Sequence, residues 1–369
     1  MGERYSYRLR IDTYTPVSIG NGSFLSPITD FFVSQRTLYI LDKTRLNRVL
    51  IERNKIDLFT EQVTESVNES KTGTNFSVYS FIKRELGLEP EQLTIKNIPF
   101  PNASQSKEQI AGCFTSNGKP VIPGSTLKGA IKGALLFKWL TSTEGSDTLN
   151  AMIKDILRNK RPNTSFFSDD DPENKKLEAE LSVGDSEPFS EKSLVVYRTD
   201  RLHYKRKNSR VPQTKMCIER KQASKFQYKS AQWPFNKALV DAINDFSYQS
   251  LSIEQDILND SGNIGSYTSE RLNSFYDDIK GEIRDIKASG ALTCFLRIGS
   301  GKSYFDNSIG IAICLKNEDA FKKLREFYEL GKAPKERNFS PKEPFPITRT
   351  IISELTLPLG WIKFSLAKN

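Results

Sequence analysis

The stretch Val121-Ile-Pro-Gly-Ser-Thr-Leu-Lys-Gly-Ala-Ile-Lys-Gly-Ala-Leu-Leu136 decides how the chain is read. Pro123 and Gly124 mark a tight turn, and a helix follows, with Ser125 or Thr126 as its expected cap. Leu127, Ile131, Ala134 and Leu135 recur at helical spacing, so one side of this helix is predicted to be buried. Gly129 and Gly133 stand four apart and leave a flat strip that another backbone can approach. Lys128 and Lys132 have the same spacing and share a face near the helix start. A glycine turn, free amides at a helix N-terminus and two ammonium groups make a candidate anion site. The plainer reading is an ordinary capped amphipathic helix with its lysines in solvent, and the stretch alone leaves both readings open.

The rest of the composition narrows the field. A chain of 369 residues can bury a large core and has room for two or three subdomains. Its net charge of +9 favours a polyanionic partner. The four cysteines, Cys113, Cys217, Cys294 and Cys314, are scattered with no CxxC pair, which argues for a reducing cytoplasm, no disulfide framework and no zinc site. Nothing in the sequence calls for a metal or another cofactor. No run approaches the roughly 18 apolar residues of a membrane span, and no apolar stretch follows Met1 as a signal peptide requires. The one histidine, His203, rules out a ribonuclease built on a histidine pair. It leaves His203 acting with a lysine or with Tyr204. A Ser-His-Asp triad lacks a nucleophile-elbow motif here.

Working outward from the central helix, Tyr7-Arg-Leu-Arg-Ile-Asp12 alternates as a half-buried strand. It runs into the Pro- and Gly-rich turn Thr15-Pro-Val-Ser-Ile-Gly-Asn-Gly22. Arg36 to Asp42 is expected as a second strand paired back to the first, and Thr44 to Phe59 as a helix. Glu61 to Thr74 reads as a polar loop. Phe76 to Leu86 reads as a short helix stopped by Gly87 and Pro90, with Leu93 to Ile98 and Ile110 to Phe114 as strands. The order implies helices on an antiparallel sheet: an α+β, ferredoxin-like (RRM-like) core with helical insertions and a second, smaller α/β half. The expected division is a core over residues 1–140, a polar insertion over 141–180 and a basic hairpin region over 181–234. A helical subdomain over 235–290 and closing strands over 291–369 complete it. Within the insertion, the acidic run Ser168 to Glu173 has no calcium-loop pattern and reads as solvated. Asp185 reads as a turn residue capping its own backbone.

Two further stretches carry chemistry. Between His203 and Lys229 lie Lys205, Arg206, Lys207, Arg210, Lys215, Arg220, Lys221, Lys225 and Lys229, against a single acid, Glu219. His203, Tyr204, Phe226 and Tyr228 are interleaved with them. Basic charge tracks phosphates and aromatic faces accept bases, so this is the chain's candidate nucleic-acid patch. Met216–Ile218 and Phe226–Tyr228 are expected as the arms of a hairpin, and a solvated lysine-rich edge is the alternative. Gly299-Ser-Gly-Lys-Ser-Tyr304 contains Gly-Lys-Ser, but a phosphate-binding P-loop needs glycine where Leu296 stands, which argues against an NTPase. The amides of Gly299, Ser300 and Gly301 beside Lys302 can still cradle a phosphate.

Ile122-Pro-Gly-Ser-Thr-Leu-Lys-Gly-Ala-Ile-Lys132 resembles the I-P-G-S-S-L-K-G-A-[IL]-R stretch of the RAMP proteins of CRISPR–Cas systems. Four more stretches match in chain order. They are the Gly20–Gly22 turn, Leu181-Ser-Val-Gly-Asp-Ser-Glu-Pro188, the glycine-rich Ile298–Gly301 and the closing Gly360-Trp-Ile-Lys363. Together they are most similar to the subunit of the type III-A Csm effector that caps the 3′ end of the guide RNA (crRNA). The resemblance implies a non-catalytic, crRNA-binding protein of antiviral defence, needed for crRNA maturation. Its implied neighbours are a RAMP backbone subunit and a small helical subunit. It places RNA at Gly20, Asn21, Gly22, Ser125, Lys128, Lys132, Lys205, Arg206, Lys207, Arg210, Gly299, Ser300, Gly301 and Lys302. Backbone RAMP relatives cut target RNA with an acid in the loop after the first strand. Here Ser18 to Asp30 offers only Asp30, at its far end. The competing expectation is a crRNA-processing endoribonuclease with His203 as acid or base.

Overall fold

Tyr7, Leu9 and Ile11 face inward from β1 (Tyr5–Thr13), as their alternation requires. This computed structural model describes residues 5–68, 76–103, 108–162, 180–205, 210–332, 339–341 and 343–367. Strand β1 sits centrally in a five-stranded antiparallel sheet. The other members are β9 (Leu181–Val183), β12 (Ala223–Ser230), β13 (Thr293–Arg297) and β16 (Trp361–Leu366), and the order is β13-β16-β1-β12-β9. Leu9 stands opposite Phe226 on one side and Leu366 on the other. Two helices, α4 (Gly124–Leu140) and α6 (Lys237–Asp260), cover the inner face and meet at Phe137 and Phe246, whose rings lie 5.5 Å apart. Leu127, Ile131, Ala134 and Leu135 are buried there, as the helical spacing predicted.

The chain order β1-α4-β9-β12-α6 is that of a ferredoxin-like core, and the mixed α/β architecture agrees with the sequence reading. One extra helix, α7 (Ser266–Ser289), reverses the chain before β13. Strand β13 therefore runs parallel to β1 at the sheet edge, and the place beside β1 falls to the terminal strand β16. The sheet thus draws strands from residues 5 to 366 and interleaves distant parts of the sequence. Helix α7 wraps the β13 edge, where Phe275 and Phe295 both pack on Tyr14.

Pairing directions decide where everything else goes. Strands β1, β9 and β13 run one way and β12 and β16 the other, so the connections leaving β1, β9 and β13 emerge at the same end. Those three connections build a second, six-stranded sheet. The first supplies β2 (Gly20–Leu25) and β6 (Ile110–Cys113), and the second supplies β10 (Leu194–His203) and β11 (Arg210–Ile218). The third supplies β14 (Thr348–Ile352) and β15 (Leu357–Pro358), giving the order β15-β14-β10-β11-β6-β2. The first connection also carries a three-stranded sheet, β3 (Phe31–Ser34), β4 (Thr37–Leu41) and β5 (Thr94–Pro99), with α1 (Lys43–Glu52), α2 (Ile56–Asn68) and α3 (Val78–Glu85). Phe32, Leu46, Leu50, Phe81 and Ile82 give this insertion a core of its own. A two-residue pair, β7 (Thr115–Ser116) and β8 (Lys119–Pro120), leads into α4.

Several sequence expectations are corrected. Residues 37–41 pair with β3 and β5, and not with β1, because the insertion closes on itself. Helix α2 continues to Asn68 through the predicted polar loop, since Phe59 packs on Phe76 and Phe81. The polar insertion contains α5 (Ser146–Leu157), whose Leu149, Met152, Ile153 and Ile156 are buried in the main core. The acidic run from Ser168 lies outside the described residues. Two more helices, α8 (Gly310–Lys316) and α9 (Glu318–Phe327), follow β13. Among the described residues no helix is long and apolar enough to cross a membrane.

Candidate nucleic-acid interface

The segment Thr15 to Ile19, just after β1, is where the motif loops meet. Ser300 N–H donates to Ser18 O (2.9 Å), Gly360 N–H to Pro16 O (2.9 Å) and Phe114 N–H to Ile19 O (2.7 Å). Trp361 N–H donates to the Thr15 hydroxyl at 3.0 Å. The glycines here serve close backbone approach. A β-carbon on Gly299, whose φ is +68°, would lie 2.4 Å from Ser18 O, and one on Gly301 2.1 Å from Leu359 O. On α4, a β-carbon on Gly124 would lie 2.1 Å from Val183 O.

The start of α4 differs from expectation. Neither Ser125 nor Thr126 caps it; Pro123 holds the N-cap position and makes no side-chain cap bond. Instead the Gly124 amide donates to Asp185 Oδ1 (2.7 Å), and Ile122 N–H donates to the Ser186 hydroxyl (3.0 Å). Asp185 therefore caps a distant helix and not its own turn, which places its negative charge at the positive end of α4. The sequence contained the signal in the form of two glycine-bearing motifs, but local spacing could not couple them.

The structure locates most of the residues expected to contact RNA. Gly20, Asn21 and Gly22 form the exposed start of β2. Asn21 Oδ1 there accepts from the Ser23 amide and hydroxyl, and Gly22 has a φ of +81°. Ser125 is exposed on the first turn of α4, and Lys128 and Lys132 are half-buried and engaged by neighbours. Gly129 and Gly133 leave an open strip: among the described residues, no atom beyond the local helix backbone lies within 4 Å of a β-carbon built on either. In the Gly299–Lys302 loop, the Ser300 amide is taken by Ser18 and the Lys302 amide by Gly299, and Gly301 is buried. Lys302 is half-buried, and burial pushes its ammonium pKa below the usual lysine range against the pull of Asp306. Lys205 follows β10 and donates its amide to His203 Nδ1 at 3.1 Å. Arg206 and Lys207 lie outside the described residues; Arg210 is the first residue of β11.

The basic run is divided between the two sheets, which overturns the expected hairpin. Met216–Ile218 belongs to β11 and pairs with β10, whereas Phe226–Tyr228 belongs to β12 and pairs with β1. The true hairpin is β10–β11, with Lys205 at its turn. The aromatic residues expected to accept bases are not available to them: Tyr204, Phe226 and Tyr228 are all buried in the core. Lys225 and Lys229 instead join Arg8 and Arg10 on the open face of the first sheet. There Arg8 pairs with Glu187, and Arg10 pairs with Asp12 at 2.6 Å.

A buried ionic cluster fixes the glycine loop, and the sequence reading missed it. Arg297 Nη1 and Nη2 bond both Glu254 oxygens (2.6 and 3.0 Å), and Nη1 also reaches Asp306 Oδ2 at 3.0 Å. Arg349 pairs with Glu254 and donates to Gly301 O at 3.1 Å. Burial pushes the Arg349 pKa down to about 10. The available signal was Glu254 itself, an acid between Leu251 and Leu258 on the buried stripe of α6. Asp30, the single acid of the first loop, is likewise committed. It accepts from the Ser26 amide (2.9 Å) and the Thr29 hydroxyl (2.9 Å), and pairs with Lys43 at 2.7 Å. Burial raises its carboxyl, but these partners outweigh burial and hold it below the usual aspartate range.

Comparison with known proteins places this geometry. The RAMP superfamily model matches residues 10–305. The chain is 23% identical over 388 residues to "CRISPR system Cms protein Csm5" of Methanocaldococcus jannaschii, covering 98% of this chain and 89% of that protein. Its fold matches a chain in the cryo-EM structure of a Csm–crRNA–target RNA ternary complex of a type III-A CRISPR–Cas system. There the TM-score is 0.69 at 20% identity, covering 98% of this chain and 100% of that one. It also matches the crystal structure of T. onnurineus Csm5, with a TM-score of 0.61 at 19% identity, covering 96% and 99%. With a family match over most of its length and the motif loops gathered at one end of a ferredoxin-like sheet, the chain belongs to the RAMP superfamily.

Proposed function

We propose that this chain is the Csm5-type subunit of a type III-A CRISPR–Cas effector in the cytoplasm. In this reading it binds crRNA, caps the 3′ end of the guide and the filament of backbone subunits, and supports crRNA maturation without chemistry of its own. The observation that carries the reading is the end-to-end likeness to a Csm5 protein, which leaves no large part of either chain unmatched. A head-to-tail filament needs an end piece with one altered face. The long α7 and the insertion between β2 and β6 supply surfaces of that kind, toward a RAMP backbone subunit and a small helical subunit. Commitment of Asp30 to Ser26, Thr29 and Lys43 supports the non-catalytic assignment, because the loop's one carboxylate is occupied in closing a turn.

The test is binding of labelled single-stranded RNA by the purified chain across a salt series, on a gel that also reports cleavage. Capping predicts intact RNA, indifference to sequence, and affinity that falls steeply with salt. Metal-independent products that vanish with His203→Ala would establish the nuclease instead.

A further inference from the structure

Cross-strand register gathers one further set of side chains, in which Lys215 and His203 of the basic run join residues that no motif announced. Phe24 stands opposite Ala111, Ala111 opposite Lys215, and Lys215 opposite Tyr197, so all four project from the same face of the second sheet. The main core lies on the other face, with Ile110, Val196, Leu202, Met216 and Ile218 buried there, while a smaller buried cluster of Val195, Tyr197, Cys217, Ile352 and Leu359 covers part of the outer face and leaves the side toward β2 open. Two residues further along each strand, the outer face continues with Gln213 opposite Thr199, then with Arg201 and His203 toward the hairpin turn. Gln213 and Arg201 are exposed, Lys215 and His203 are half-buried, and Thr199 between them is buried.

Phe24 is 62% exposed, an unusual state for a phenylalanine on a strand. It projects from edge strand β2, two residues after Gly22, about 10 Å from the strand that carries Lys215. Among the described side chains that face outward from β2, β6, β10, β11 and β14, none is an aspartate or glutamate. Glu219, beyond the end of β11, accepts a hydrogen bond from Tyr197 OH at 2.6 Å. Burial holds the Lys215 ammonium below its usual pKa, and nearby Arg201 adds a smaller push in the same direction. The open face of the first sheet is a weaker candidate, because Arg8 and Arg10 are neutralised by Glu187 and Asp12.

We infer that the uncovered part of the outer face of the second sheet, from Phe24 through Lys215 and Gln213 to Arg201, is a track for single-stranded RNA. Phe24 stacks a base at its edge, Lys215 and Arg201 hold phosphates across it, and Gln213 offers an amide between them. This deepens the proposed function and rests on it. Stacking on one aromatic face tolerates every base, as a subunit serving many guides requires.

The experiment uses the full chain and a fluorescein-labelled single-stranded RNA of mixed sequence, about 12 nucleotides long, titrated across a salt series. Phe24→Ala is expected to weaken binding about tenfold at every salt concentration with an unchanged salt slope, because stacking releases no counterions. Phe24→Leu should match the alanine variant, and Phe24→Tyr should retain affinity. Lys215→Gln and Arg201→Gln should each flatten the log–log salt slope by about 0.7. Thermal melts confirm folding of each variant. Wild-type binding that is salt-sensitive, with Phe24→Ala within twofold of it and both slopes unchanged, would overturn this inference and leave the RNA-binding reading intact. Absence of RNA binding by the wild-type chain would remove that reading, and this one with it.

Discussion

The amide of Gly124 donates a 2.7 Å hydrogen bond to Oδ1 of Asp185, 61 residues away, and this bond ties the central motif helix to the end of β9. A helix N-terminus without a local cap takes its cap from another motif. The two fix each other's geometry: glycine lets Val183 O approach, and aspartate then satisfies the buried amide, which has no partner within its own helix. Replacing Asp185 with alanine should destabilise the fold by about 1–2 kcal/mol, and asparagine should recover part of the loss. Urea titration of the three proteins checks both.

The glycines of α4 should divide into two kinds. Gly124→Ala places a β-carbon against Val183 O and should cost about 2 kcal/mol or more. Gly129→Ala and Gly133→Ala meet no atom of the described residues beyond the local helix backbone and should each stabilise the helix by about 1 kcal/mol. If RNA affinity or complex assembly falls in the same two variants while the melting temperature rises, the open strip is a contact surface.

Arg297 is the centre of the buried ionic cluster, bonded to Glu254 and Asp306 and stacked 4.5 Å from the Trp361 ring. Arg297→Met leaves two buried carboxylates facing one remaining guanidinium. A loss of about 3–5 kcal/mol is expected, together with faster proteolysis of the 299–302 loop that the cluster holds. Limited digestion followed by mass spectrometry reads the second effect.

The depressed carboxyl of Asp30 links stability to pH with a definite sign. Its contribution is complete above the ordinary aspartate value of 3.8 and is lost as pH falls through the lower folded-state value. Asp30→Asn should therefore lower stability at neutral pH and narrow the gap to wild type below about pH 3.8. Unfolding curves at several acidic pH values show whether the two lines converge.

The four thiols should be nearly inert in the native protein. Cys113, Cys217 and Cys294 are buried, and burial pushes the half-buried Cys314 up to about 11. Native protein should release little colour with a thiol-specific disulfide reagent at pH 8, and denatured protein the full four equivalents.

The elements read well from sequence share one property: their signal is local. Leu127, Ile131, Ala134 and Leu135 recur at the helical period, and Tyr7, Leu9 and Ile11 at the strand period, so the buried face of each element follows from its own residues. Charge was legible for the same reason, since lysines can be counted without knowing where they point. The motif loops, too, were visible as clusters of glycine, proline and small polar residues.

What the sequence alone determined was the class of fold, the family resemblance and the basic character of the chain. Only the tertiary structure decided which loops meet, that Met216–Ile218 and Phe226–Tyr228 enter different sheets, and that Asp185 caps a distant helix. It likewise decided that Tyr228 is buried while Phe24 is exposed. Hydrophobicity and period are properties of neighbouring residues, whereas pairing and register join segments tens to hundreds of residues apart. Which of two aromatics faces solvent follows from that long-range register and not from either residue's own character.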